Sequence, residues 1–279
     1  MRRILVFIST FLTSFCFASS PPPRLVLVGG GVTRPGIERI VQWGGGKNAR
    51  ILVVTWASDD PNFTYGHLSK NFGSFSPDSV EEAVRYEDLI DAENELVADH
   101  FLDSLNRVTA VFFSGGSQDR IMEVLKKYPA FEKRIRQQFE SGVVFGGTSA
   151  GTAIMSRTML TCHDGSRPEE FRITRGLGLL PPNIIVDQHF DTRPFRETRL
   201  KFSLERDSRA SWGVGIYESA VLAVDGNEME VIAGKVQLFR KAVSERLETI
   251  FSAGVRMPLP RLSPDATPES TVFIASSDR

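Results

Sequence analysis

The chain is short of cysteine and histidine and has no surplus of positive charge, and each shortage closes off a class of function. Only Cys16 and Cys162 occur among 279 residues, so a disulfide-stapled framework is excluded. His67, His100, His163 and His189 are too scattered to form a closely spaced ligand set, so no metal is expected. The 33 Lys and Arg against 34 Asp and Glu give a net charge of -1, with no basic footprint for nucleic acid. The apolar stretch Ile4 to Phe17 is broken by Ser9, Thr10, Thr13 and Ser14 and is shorter than the ~20 residues of a membrane-spanning helix. What remains is the composition of an ordinary globular protein, 41% hydrophobic and 24% charged.

The stretch has the flanks of a secretory leader. Met1-Arg2-Arg3 precedes it and Ala18-Ser19-Ser20 follows, which predicts cleavage after Ala18 with Cys16 and Ala18 as the small residues of the site. A lipid anchor on Cys16 is the alternative, disfavoured by Phe15 where a small residue is wanted. Removal of residues 1–18 would leave 279 minus 18, or 261 residues, and loss of Arg2 and Arg3 would take the charge from -1 to -3. The expected product is an exported protein, periplasmic or secreted, without stable membrane insertion and with Cys162 as its lone thiol. Residues 19–23 read as a Pro-rich spacer, 24–257 as a single catalytic domain and 258–279 as a C-terminal extension, in which 271–275 would add an edge strand.

Short apolar runs rich in β-branched or aromatic residues recur at Leu25 to Val28, Ile51 to Trp56, Val108 to Phe113, Val143 to Phe145, Ile184 to Val186 and Ala220 to Val224. Between several of them lie segments with helical periodicity, such as Ile121, Val124, Leu125 and Phe131, Ile135, Phe139. The alternation predicts an α/β fold: a largely parallel sheet with helices on both faces, three layers deep, reactive groups at the carboxyl ends of its strands. Met229 to Ile232 and Val236 to Phe239, joined around Gly234, predict a terminal hairpin.

Gly29-Gly30-Gly31 follows the first strand, but position 34 is Arg where a dinucleotide fingerprint needs glycine, so this run reads as a tight turn. The sharpest chemical signal is Val144-Phe145-Gly146-Gly147-Thr148-Ser149-Ala150-Gly151-Thr152. A β-rich run, Gly-x-Ser-x-Gly and then helix-compatible small residues describe a nucleophile elbow, whose sharp turn needs glycines on both sides of the serine. Ser149 needs a base. His189 emerges from the run Ile184 to Gln188, which makes it the better candidate over His163. Either Glu218 or Asp187 would orient it. Val111 to Asp119 forms a second strand-to-helix turn, from which the N–H of Gly116 could join that of Ala150 as oxyanion donors, with Gln118 placed to hydrogen-bond substrate.

Taken together, Gly115-Gly116-Ser117-Gln118, Gly147-Thr148-Ser149-Ala150-Gly151, Asp187-Gln188-His189-Phe190 and Gly215-Ile216-Tyr217-Glu218 resemble the cyanophycinases, which belong with the aspartyl dipeptidases of the peptidase E type in one serine peptidase family. The resemblance spans roughly residues 25–239. It implies a class I glutamine-amidotransferase-like, flavodoxin-like fold and a serine protease catalytic triad of Ser149, His189 and Glu218, with Gly116 and Ala150 as the oxyanion hole. It further implies a cyanophycin or aspartyl-peptide substrate held by Gln118, Asp187, Gln188, Arg193, Arg196 and Arg199, no cofactor, and a homodimer. Three guanidinium groups would suit substrate carboxylates. The arginine spacing and Tyr217 depart from the family's usual pattern.

Overall fold

Alternate side chains of the central strands enter two different apolar clusters, and that two-sided burial organises the fold. In β1 (Arg24–Val28), Leu25 and Leu27 face one cluster while Val26 and Val28 face the other. The same division holds for Leu52 and Val54 against Ile51 and Val53 in β2 (Arg50–Val54). β3 (Ser79–Glu82) lies at the edge, and in β4 (Ala110–Phe113) Val111 and Phe113 oppose Ala110 and Phe112. A strand with apolar residues on both faces must be covered on both faces. One cover is α1 (Arg34–Trp43), through Ile37, Ile40 and Val41, and α2 (Pro61–Gly73), through Leu68 and Phe72. α3 (Tyr86–Asp91), α4 (Glu95–Arg107), α5 (Gln118–Lys127) and α6 (Pro129–Glu140) belong to the other, burying Leu89, Phe101, Ile121, Val124, Phe131 and Ile135.

The structure, a computed structural model, describes residues 21–91, 95–161, 171–193, 195–241 and 248–260. The leader, Cys162, His163 and the edge strand expected at 271–275 lie outside them. β5 (Val144–Thr148) sits between β1 and β4, so β1, β5, β4, β2 and β3 form a parallel array in that order. After β5 come the short α7 (Ala150–Ala153) and a separate ribbon, β6 (Thr158–Thr161) with β7 (Arg172–Arg175).

The chain then builds a second sheet. β8 (Ile184–Asp187) leads through α8 (Arg196–Arg206) to a parallel β9 (Trp212–Ile216). β10 (Val221–Asp225) returns antiparallel to β1, followed by β11 (Glu228–Ala233). β12 (Lys235–Arg240) pairs antiparallel with β9 and with β13 (Glu248–Ser252), and β14 (Arg256–Pro258) pairs with β11. The result is an eight-stranded central sheet beside a four-stranded one.

One expectation needs correction. The hairpin predicted around Gly234 does not form, because β11 stays in the central sheet while β12 crosses to β9. Gly234 makes that corner at φ +68, packed so closely that a Cβ would lie 2.8 Å from the Cα of Ala220. At the end of the described residues, β14 closes at Pro258, and the buried Met257 and Leu259 join the larger apolar cluster.

Candidate active site

The serine turn lies where β5 gives way to α7. Ser149 has φ 53 and ψ -112, a conformation few non-glycine residues adopt and one that surrounding structure must enforce. Its N–H donates to the Val28 carbonyl at 3.1 Å. A Cβ on Gly147 would lie 2.8 Å from the Cα of Gly151, and one on Gly151 would lie 2.8 Å from the Phe113 carbonyl carbon, so both glycines are sterically required. Thr152 fastens the turn to β1: its hydroxyl accepts from the Val28 N–H at 3.0 Å and lies within 2.8 Å of the Val28 and Gly147 carbonyl oxygens, to one of which it donates.

His189 arrives from the second sheet. Its backbone is left-handed at φ 52, and its N–H donates to the Gly29 carbonyl at 2.9 Å. The next residue, Phe190, is buried against Gly215, where a Cβ would lie 2.6 Å from the ring. So anchored, the imidazole places Nε2 2.7 Å from Ser149 Oγ and pairs Nδ1 with Glu218 Oε2. Glu218 is held in turn, its N–H donating to Asp191 Oδ1 at 2.7 Å. Asp187, the other residue considered for orienting His189, points elsewhere.

The glycines after β1, read as a tight turn, also press on this pair. A Cβ on Gly30 would lie 2.5 Å from both Glu218 Oε1 and His189 Cε1. The sequence carries a trace of this close approach in three consecutive glycines directly after a buried strand, but a glycine run alone does not say what comes near.

The loop expected to donate oxyanion hydrogen bonds reaches the same place. A Cβ on Gly115 would lie 3.3 Å from that of Ser149, and Gly116, at φ +130, is pressed against the Ala57 carbonyl. Ser117 N–H donates to that same carbonyl at 2.8 Å, which holds Gly116 against Ala57. Gln118 directs its Nε2 to the Leu160 carbonyl at 2.9 Å, a contact within the protein.

The arginines separate. Arg193 is exposed in the loop after His189, whereas Arg196 and Arg199 are 7% and 4% exposed and turn inward. They share a helix face with Leu200, Ser203 and Leu204, the face that packs on the second sheet. Arg196 Nη1 donates to Asp187 Oδ1 at 2.9 Å, and Arg199 donates through Nε to Oδ2 at 2.6 Å and through Nη2 to Oδ1. Asp187 is wholly buried, and burial pushes its carboxyl up to about 6 against the opposing pull of Arg199. Asp187, Arg196 and Arg199, expected to hold substrate, are thus occupied with one another, and Gln188 is buried beside them.

Among the described residues no cluster of His, Cys, Asp and Glu is arranged to hold a metal, and no helix is long and apolar enough to cross a membrane.

The profile of Peptidase family S51 matches residues 38–232. A Cyanophycinase of Geminocystis herdmanii is 30% identical over 202 residues, covering 71% of this chain and 71% of that protein. A Cyanophycinase of Synechococcus elongatus is 33% identical over 206 residues, and the match spans 71% of this chain but only 60% of that relative's length. The crystal structure of a peptidase from an acI-B1 Actinobacterium superposes with a TM-score of 0.64 at 19% identity, covering 86% of this chain and 98% of the other. That likeness establishes the fold: a mostly parallel central sheet with helices, flavodoxin-like and class I glutamine-amidotransferase-like.

Proposed function

The chain belongs to peptidase family S51 and is a serine-type peptidase, and from that premise we propose that it cleaves cyanophycin to β-aspartyl-arginine dipeptides through an acyl-enzyme on Ser149. The observation that carries this reading is the unbroken chain Ser149 Oγ–His189–Glu218 at the strained turn. As Oγ attacks the carbonyl carbon of the scissile amide, His189 Nε2 takes its proton and the carbonyl oxygen becomes an oxyanion facing the N–H groups of Gly116 and Ala150. His189 then gives that proton to the departing nitrogen, the C–N bond breaks and the acyl-enzyme remains. Water, deprotonated by the same imidazole, releases the acid and restores Ser149. Glu218 fixes the tautomer and stabilises the imidazolium.

Substrate recognition rests on fewer groups than the motifs imply. With Arg196 and Arg199 buried, Arg193 is the exposed guanidinium of the three for a substrate carboxylate. One exposed arginine also suits a small aspartyl dipeptide, which is the second reading.

The test is release of soluble dipeptide from insoluble cyanophycin by purified protein, with Ser149→Ala as control. Release that disappears in the variant is expected; release that persists refutes the mechanism. Hydrolysis of aspartyl dipeptides with none of the polymer would select the second reading. Export through residues 1–18 and assembly as a homodimer belong to the same proposal, checked by N-terminal sequencing of exported protein and by light scattering.

A further inference from the structure

We propose that Asp187, Arg196 and Arg199 are positioning residues: a buried clamp that closes the loop carrying His189 and holds its imidazole between Ser149 and Glu218. The inference rests on the triad reading above and assigns these three residues a role other than touching substrate.

Burial excludes direct recognition. Asp187 is wholly buried, and Arg196 and Arg199 are nearly so, with their guanidinium groups directed at its carboxylate. Stability alone does not account for the cluster either. Taking charges out of water offsets much of what their pairing returns, and apolar side chains of similar size often do as well. What such a network supplies and an apolar contact does not is geometry, since a bidentate fork fixes both distance and angle.

The clamp sits where geometry is needed. Asp187 ends β8, and Arg196 and Arg199 open α8, so their bonds join the two ends of the segment that carries His189. That segment has left-handed, non-glycine residues near both ends, His189 at φ 52 and Phe195 at φ 62. Positive φ is uncommon for any non-glycine residue and most costly for a bulky one such as Phe195, and strained residues persist only where their surroundings over-determine them. Inside the segment the bonds are long: the N–H groups of Thr192 and Arg193 both donate to the His189 carbonyl at 3.3 Å. The short bonds tie the segment to its surroundings: at the clamp, from His189 N–H to Gly29, and from Glu218 N–H to Asp191 Oδ1. A relaxed clamp would let His189 leave its left-handed conformation and swing Nε2 away from Ser149.

The experiment compares wild type with Arg199→Lys, Arg196→Lys and His189→Ala. It measures kcat and KM on the substrate identified above, and the rate at which a fluorophosphonate labels Ser149. The fluorophosphonate carries no carboxylate, so its reaction reports the serine–histidine geometry and not substrate binding. Arg199→Lys keeps the charge but loses the fork, and a misplacement approaching 1 Å is expected to lower kcat and the labelling rate together by about 10- to 100-fold, with KM within about twofold. Arg196→Lys should do the same to a smaller degree. A raised KM with unchanged labelling would overturn the clamp and restore the arginines to substrate binding. If a lysine variant fails to fold, the triple replacement Asp187→Leu, Arg196→Met, Arg199→Met removes all buried charge. Slow labelling in that folded protein supports the clamp, and wild-type labelling overturns it. His189→Ala separates the two levels. If it labels as fast as wild type, the triad reading has failed. If it labels slowly while Arg199→Lys does not, only the clamp has.

Discussion

Gly30→Ala should disable the protein without unfolding it. Glycine at 30 is not demanded by its backbone: the left-handed glycine of the run is Gly31, at φ +67. What excludes a side chain is space, since a Cβ at 30 would lie 2.5 Å from both Glu218 Oε1 and His189 Cε1. Non-bonded heavy atoms settle at roughly 3.5–4.0 Å, so the carboxylate and the ring must retreat by about 1 Å. Ser149 Oγ and His189 Nε2 are 2.7 Å apart, and the same retreat carries them beyond the ~3.2 Å reach of a good hydrogen bond. The backbones cannot easily follow, because Ser149 N–H is bonded to Val28 and His189 N–H to Gly29. A displacement of this size costs on the order of 100-fold in kcat. Glu218 is about one-third exposed and can move into solvent, so the melting temperature should fall only slightly. The assay is kcat on the substrate together with the fluorophosphonate labelling rate, alongside a thermal melt. A folded Gly30→Ala protein with wild-type values of both would refute the assignment of the glycine turn to the site.

Two further outcomes follow from buried polar groups. Thr152→Val removes a fully buried hydroxyl that bonds Val28 and Gly147, and should cost about 1–3 kcal/mol in urea unfolding; a change below about 0.5 kcal/mol would contradict the fastening role. Asp207 is also buried. Burial works to raise its pKa, but the Thr158 hydroxyl and the amide and guanidinium of Arg209 prevail and hold it below the ordinary 3.8. A depressed folded value means that its stabilisation is present above about pH 3.8 and lost as pH falls through that lower value. Wild type should therefore exceed Asp207→Asn by about 1–3 kcal/mol at pH 7, with the gap narrowing as pH falls below the ordinary carboxyl value, and a gap independent of pH would count against this account.

Much of the site was legible because its signals are local. The elbow requires glycines at fixed offsets from Ser149, and steric demand within one turn leaves its mark on neighbouring positions. Strand runs were legible for a similar reason, because a sheet covered on both faces needs apolar residues without interruption. Choosing Glu218 over Asp187 was beyond local reasoning. Both are carboxylates near a strand end, and what separates them is that α8 turns two guanidinium groups onto Asp187.

The sequence by itself determined the alternating parallel core, the strained serine turn and the four motifs that identify the family, because each depends on steric or apolar constraints between residues close in the chain. Tertiary structure alone decided the rest. It carried the chain from the central sheet to the second at Gly234, brought Gly30 against His189 and Glu218, and buried Arg196 and Arg199 while leaving Arg193 exposed. An arginine three residues from another marks only a shared helix face, and whether that face meets water or a buried carboxylate depends on where the helix docks.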